Sequence, residues 1–442
     1  MRAGRIHLIL HLAAAAVLAL AAGFLFFMRD GFFSGSALQL GTIVAATIVA
    51  LLGLVLPSGR VATLSANICL SFLTFFVILS MLEAFFRLIG HDFAKEEQTW
   101  RRTPLYYRQP IFPTGEVFFR RPGPEKWTGQ VLNARLDELH VSPNPYRDES
   151  TITVSYDATG FRHEEGFTDW EIAIAGDSFT ELGYLPYDQL FTTILGKLTN
   201  LRVLNLGTGY TGPLTQLSYL RDYGLAPGTR RAVIVFFEGN DLEDLDREYG
   251  DLMRYQSTGH RPLREFKKQT SVTRALFKLV ESIFQRPPRS WVTAYFKSAR
   301  GDVPITLLYI PPARDQLPPE AVRQLNYFFE RFAAFGKDHH VEVWLVFMPC
   351  KERVVYGMVE FCATASEKLK KWEPTDLPIV ISDLSQGHGV RFMDLTPMLR
   401  EETHQSGELL YNSIYDTHLN ARGSQAVARE MARQLFATDE PR

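Results

Sequence analysis

Apolar positions follow two regimes along this chain. Through the first ninety residues they form three nearly unbroken runs, Ile6 to Met28, Ala37 to Leu56 and Val61 to Ile89. Each reaches the roughly 20 residues a helix needs to cross a bilayer, so an anchor of three transmembrane helices is expected within 1–90. A cleaved leader would have a shorter apolar stretch and no further runs behind it. Residues 91–151 read as a connector rich in Pro, Arg and aromatics, with short strands. Beyond it the pattern changes to short apolar runs divided by turn residues. Ile152 to Arg162 reads as a strand followed by a turn, and Ile172 to Ala175, Leu201 to Leu206, Ala232 to Phe237, Ile305 to Ile310, Val341 to Phe347 and Val390 to Leu395 read as strands. Helical spacing predicts helices at Tyr187 to Leu198, Pro213 to Tyr223, Glu320 to Lys337, Pro378 to Leu384 and Ala421 to Phe436. In the first of these, Leu190, Phe191, Ile194, Leu195 and Leu198 share a face. Strand, helix and strand joined by short connections imply an α/β fold with a doubly wound parallel sheet over 152–442. The polar stretch 242–300 reads as an insertion or lid.

Composition narrows the function classes. Forty-seven basic against 49 acidic residues leave a formal charge of −2, which argues against a nucleic-acid partner. Arg2, Arg5 and Arg60 would lie on one side of a membrane, and Arg29, Arg87, Lys95, Arg101 and Arg102 on the other. That distribution does not orient the anchor by the positive-inside rule. Of three cysteines, Cys69 falls in the third apolar run, while Cys350 and Cys362 could form one disulfide or stay as thiols. They lack metal-ligand spacing with nearby histidines. His339 and His340 read as a solvated turn and His404 as surface. No metal and no cofactor are expected.

The chemistry gathers at the strand ends. Gly176-Asp177-Ser178 turns the chain after one buried strand, Gly207 to Pro213 is a glycine-rich turn after the next, and Gly239-Asn240-Asp241 follows the third. In a parallel sheet these carboxyl ends share one edge, where α/β folds bind ligands. Asp416-Thr417-His418 lies near the C-terminus. A serine at such an edge, backed by a histidine and an acid, can open an ester.

These motifs, in this order, resemble the SGNH (GDSL-like) hydrolase family. Gly176 to Ser178 is similar to its first block, Asn205 to Pro213 to its second, Gly239 to Asp241 to its third, and Asp416 to His418 to its fifth. The resemblance covers roughly 155–245 and 400–430 and implies a flavodoxin-like domain. It also implies Ser178 as nucleophile, His418 as general base and Asp416 as its orienting acid. The oxyanion donors it implies are the N–H of Ser178, the side chain of Asn240 and a glycine-turn N–H, from Gly209 or, aligned without a gap, Tyr210. Glu181 and Glu238 adjoin this site and are expected to cap or hydrogen-bond. The family places its acid three residues before the histidine; Tyr415 stands there, and Asp416 is two before. That D-x-H spacing, with Pro349-Cys350-Lys351 and Tyr356, resembles the proteins that O-acetylate alginate-type exopolysaccharides, although in those the D-x-H pair precedes the serine. The expectation is a membrane-anchored serine esterase or O-acyltransferase acting on O-acyl, chiefly O-acetyl, groups of an extracytoplasmic glycan. A transferase would need a membrane partner that supplies the acyl donor. The rival readings are an idle glycan-binding or assembly protein and a membrane-lipid esterase.

Overall fold

The computed structural model describes residues 123–130, 151–164, 166–259, 292–363, 365–414 and 417–436, with single positions 81, 85, 118 and 120. The chain divides into two units, Met1–Gln98 with Lys267–Pro287, and Thr99–Phe266 with Pro288–Arg442. The three expected transmembrane runs lie outside the described residues, except Met81 and Phe85, which are helical and exposed. Among the described residues no helix is long and apolar enough to cross a membrane.

The second unit is built on a five-stranded parallel sheet. Its strands are β3 (Ile172–Gly176), β4 (Val203–Gly207), β5 (Arg231–Phe237), β8 (Glu342–Met348) and β10 (Arg391–Asp394). They lie in the order β10-β8-β5-β3-β4, all parallel. Numbered within this sheet alone the order is 2-1-3-4-5, the flavodoxin-like arrangement. The order reverses between β3 and β5, so the crevice for a ligand opens at their carboxyl ends.

Both faces of the sheet are covered, which explains why its strands read as continuous apolar runs. Side chains alternate between faces. Ile172, Ile174, Val233 and Val235 pack with α2 (Phe191–Thr199), α9 (Thr396–Ser406) and α10 (Ala421–Leu435). Ala173, Ala175, Ile234 and Phe236 pack with α3 (Pro213–Tyr223), α4 (Asp241–Thr258), α5 (Pro319–His339) and α8 (Leu377–Gly387). Two smaller antiparallel sheets flank this core. One pairs β1 (Glu125–Gln130) with β2 (Thr151–Tyr156). The other sets β6 (Ala294–Ser298) between β7 (Gly301–Ile305) and β9 (Val359–Phe361).

Three local expectations differ from the structure. Of the run Ile305 to Ile310 only Ile305 is strand, at the end of β7; residues 306–310 are a loop, and in it the Leu308 and Tyr309 N–H groups donate to the Glu352 carboxylate instead of to a strand. Leu198 is 52% exposed, since the apolar face of α2 is filled by Leu190, Phe191 and Leu195. Within the stretch read as an insertion, α4 is a full layer helix against the sheet, and residues 294–298 are the central strand β6; residues 260–291 lie outside the described residues. Cys350 and Cys362 are free thiols, the first buried.

Candidate active site

Ser178 is delivered by a sharp break in the chain. β3 ends at Gly176, and α1 (Ser178–Glu181) starts two residues later with Asp177 as its N-cap. The Asp177 carboxylate accepts the Phe179 N–H at 2.8 Å, as an N-cap should. The turn is this tight because two glycines make room. A Cβ on Gly176 would stand 2.1 Å from Thr180 Oγ1, and one on Gly207 would stand 2.3 Å from the Glu181 nitrogen. So α1 lies almost in contact with the ends of β3 and β4, and Ser178 remains half-buried at the carboxyl edge.

His418 reaches the same edge from a distant part of the sequence. Its loop is closed by a bridge between Tyr411 and Leu419 and by the Asn412 N–H donating to the His418 carbonyl at 2.8 Å. Asn420 pins the loop base: its Nδ2 donates to the carbonyls of Leu409 (2.7 Å) and Tyr411 (3.2 Å), while its Oδ1 accepts Gly423 N–H and caps α10. The imidazole Nε2 then lies 2.7 Å from Ser178 Oγ. Phe179 and Tyr184 hold the ring, with centroids 4.6 and 5.3 Å away. Phe237 stacks on Phe179, and Tyr309 meets Phe237 edge-on. Asp416 and Tyr415 lie outside the described residues.

The glycine turn after β4 is held from two sides. Glu181, fully buried, accepts Tyr156 Oη–H at 2.8 Å and the Gly209 N–H at 2.6 Å. The Gly209 N–H is therefore directed at a carboxylate, and this corrects its reading as an oxyanion donor. Tyr210, the other reading, adopts a left-handed φ of 66° and is 48% exposed. Beyond it, Glu248 of α4 accepts the N–H groups of Gly212 (2.7 Å), Leu214 (3.0 Å) and Thr215 (3.1 Å). A carboxylate on the first N–H groups of α3 satisfies donors that have no partner within the helix. Asn240 is the N-cap residue of α4, and its Nδ2 donates to Asp244 Oδ2 at 2.8 Å.

The electrostatics under the nucleophile are unusual. Asp177 and Asp241 are fully buried and Asp244 nearly so. Burial pushes the Asp177 carboxyl up to about 7, although its Phe179 N–H bond and the charge of His418 pull it down. Asp241 is raised well above the carboxylate range, first by burial and then by Asp177 and Asp244, although it accepts the Phe237 N–H at 2.8 Å. Desolvation wins because one hydrogen bond does not replace the hydration of a carboxylate.

No family model matches the chain, and no curated protein matches it. Among solved structures, it is similar to the acetyl xylan esterase AlAXEase, at 12% identity and a TM-score of 0.31 over 59% of this chain and 97% of that one. It is similar at 12% identity and 0.29 to a lipolytic G-D-S-L protein from Veillonella parvula, over 61% and 99%. An acetyl xylan esterase variant from Geobacillus stearothermophilus matches at 12% identity and 0.30, over 60% and 93%. Likeness at this level assigns no activity to the chain.

The structure thus brings Ser178 and His418 together on one edge, with Asn240 on a neighbouring strand end. Of the residues that hold them, Lys351 and Glu238 were singled out in the sequence, Asp244 and Glu248 were not. Lys351 buries its ammonium against the carbonyls of Thr306 (3.1 Å) and Ser413 (3.2 Å), tying the histidine loop to the segment after β7. Glu238 binds Arg353 and the Cys350 N–H, as its hydrogen-bonding expectation requires. Asp244 and Glu248 left one signal: they follow Asn240 by one and two helical turns, and so share its face.

Proposed function

We propose that this chain is a serine esterase or O-acyltransferase that works through an acyl-Ser178 intermediate. One observation carries the reading: Ser178 Oγ lies 2.7 Å from His418 Nε2 at the carboxyl edge of a parallel sheet, where its strand order reverses. A hydroxyl within hydrogen-bond reach of an imidazole is a nucleophile with its base. His418 takes the Ser178 proton as Oγ attacks the acyl carbonyl, then returns it to the leaving oxygen. Asp416 holds the imidazole in the required tautomer. The tetrahedral oxyanion is received by the Ser178 N–H, the Asn240 amide and the Tyr210 N–H. The motif order Ser178, Asn240, Asp416, His418 supports membership of the SGNH hydrolases.

The substrate we propose is an O-acetylated glycan outside the cytoplasm, with the chain anchored in the inner membrane by three helices. Water or a sugar hydroxyl resolves the acyl-enzyme, and for transfer a membrane partner supplies acetyl groups. The test uses the full chain in detergent beside its Ser178→Ala form, both given p-nitrophenyl acetate. Wild type should hydrolyse the ester, and Ser178→Ala should fall to the uncatalysed background. Equal rates in both forms would refute the esterase reading and favour an idle binding protein. An acetyl group persisting on Ser178 until a glycan is added would favour transfer over hydrolysis.

A further inference from the structure

The oxyanion donors proposed above come from different elements, and an oxyanion site acts only if its donors are fixed before the charge develops. Asn240 stands after β5 and Tyr210 after β4, with β3 between these strands. Something must set the distance between them.

We infer that Arg247 is the positioning residue that joins them, acting with Asp244 from one face of α4; this rests on the esterase reading. The Arg247 guanidinium pairs with the Asp244 carboxylate one turn away. The other oxygen of that carboxylate accepts the Asn240 Nδ2–H at 2.8 Å. A carboxylate can only accept, so Asp244 dictates which end of the Asn240 amide faces it. The second arm of Arg247, Nη2, donates to the Tyr210 carbonyl at 3.5 Å. One planar group therefore spans both donor segments, a geometry a lysine cannot reproduce.

The neighbouring contacts fit the same device. Glu248 holds the turn just past Tyr210 by the Gly212 N–H, and Glu181 holds it just before by the Gly209 N–H. Gly212 lets α4 approach this closely, since a Cβ there would lie 2.8 Å from the Asp244 Cβ. Tyr210 keeps a left-handed backbone without being glycine, a conformation that persists only where surroundings impose it. Arg247 itself is 45% exposed at its side chain. Its removal opens no core, so a catalytic effect can be separated from unfolding.

The experiment compares full-length wild type, Arg247→Met, Arg247→Lys, Asn240→Ala and Ser178→Ala in detergent, with kcat, KM and melting temperature for each. Losing an oxyanion donor outright costs about 10²–10³ in kcat, so loosening one should cost roughly tenfold. Arg247→Met should therefore lower kcat about tenfold while KM and melting temperature stay close to wild type. Arg247→Lys should fall between the two. Adding Arg247→Met to Asn240→Ala should cost less than it does alone, because part of what it positions is gone. Unchanged kcat in Arg247→Met, a raised KM at unchanged kcat, or a rate loss that follows a lowered melting temperature would each overturn the inference while leaving the esterase reading intact. Wild type no faster than Ser178→Ala would remove both.

Discussion

At the scale of single residues, the buried acids beneath Ser178 make the strongest prediction. Asp177 titrates near 7 in the folded protein against 3.8 for the ordinary side chain. The folded state therefore holds a proton that the unfolded state has released between those two values. Stability must fall as pH rises through that window, because there the native state binds more protons than the unfolded one. Each unit of separation is worth about 1.4 kcal/mol above the window. Asp241, raised for the same reasons, acts with the same sign. Asp177→Asn keeps the acceptor for the Phe179 N–H and removes the charge. Denaturation of both forms between pH 5 and 8.5 should show wild type losing stability with pH and the variant losing less, so that the variant gains most at the alkaline end. Parallel curves would mean that Asp177 is ionised throughout.

At the scale of elements, the close seating of α1 on β4 can be tested directly. Gly207→Ala places a methyl 2.3 Å from the Glu181 nitrogen and 2.5 Å from the Thr180 carbonyl carbon, both backbone atoms that cannot rotate away. The whole of α1 must shift, and Ser178 with it. Activity on p-nitrophenyl acetate should drop at least tenfold, since small misplacements of a reacting group are costly, and the melting temperature should fall too. Gly387→Ala is the control. It ends α8 with no atom within 4 Å of the added Cβ, and should be neutral or gain up to roughly 1 kcal/mol. A Gly207→Ala protein with wild-type activity would mean that α1 does not need this contact.

These elements also show what the sequence could and could not reveal. β3, β5 and β8 were legible to within a residue or so, because strands covered on both faces leave continuous apolar runs between turns. Ser178 and His418 were legible because their motifs are local. The clamp was not. Asp241, Asp244 and Glu248 make α4 read as part of a polar insertion, yet they point inward: Asp241 accepts the Phe237 N–H at the end of β5, Asp244 the Asn240 amide, and Glu248 N–H groups at the start of α3. A partner far along the chain, such as Gly212 for Glu248, 36 positions away, leaves no mark in a linear pattern. For the same reason the Glu352 carboxylate that diverts Leu308 and Tyr309 from a strand was invisible, as was the Glu181 carboxylate that takes the Gly209 N–H.

At the scale of the whole molecule, the proposed anchor makes a prediction about which side of a membrane the site would face. The three-helix anchor proposed above would put the N-terminus and the α/β unit on opposite sides. Arg2, Arg5 and Arg60 then compete with Arg29, Arg87, Lys95, Arg101 and Arg102 for the cytoplasm, and charge counting does not decide such a split. The proposed substrate favours one side: a glycan bearing O-acetyl groups at a cell surface would meet this esterase only from outside. An alkaline phosphatase reporter fused after Arg442, active only where disulfides form, should therefore be active, and a fluorescent reporter that fails to fold after export should be dark there. The reverse pattern would place Ser178 in the cytoplasm. The serine–histidine pair would survive that result, because its geometry is independent of topology, but the glycan substrate would not. The search for an acyl donor would then turn to soluble thioesters, which a cytoplasmic transferase can use without any membrane partner.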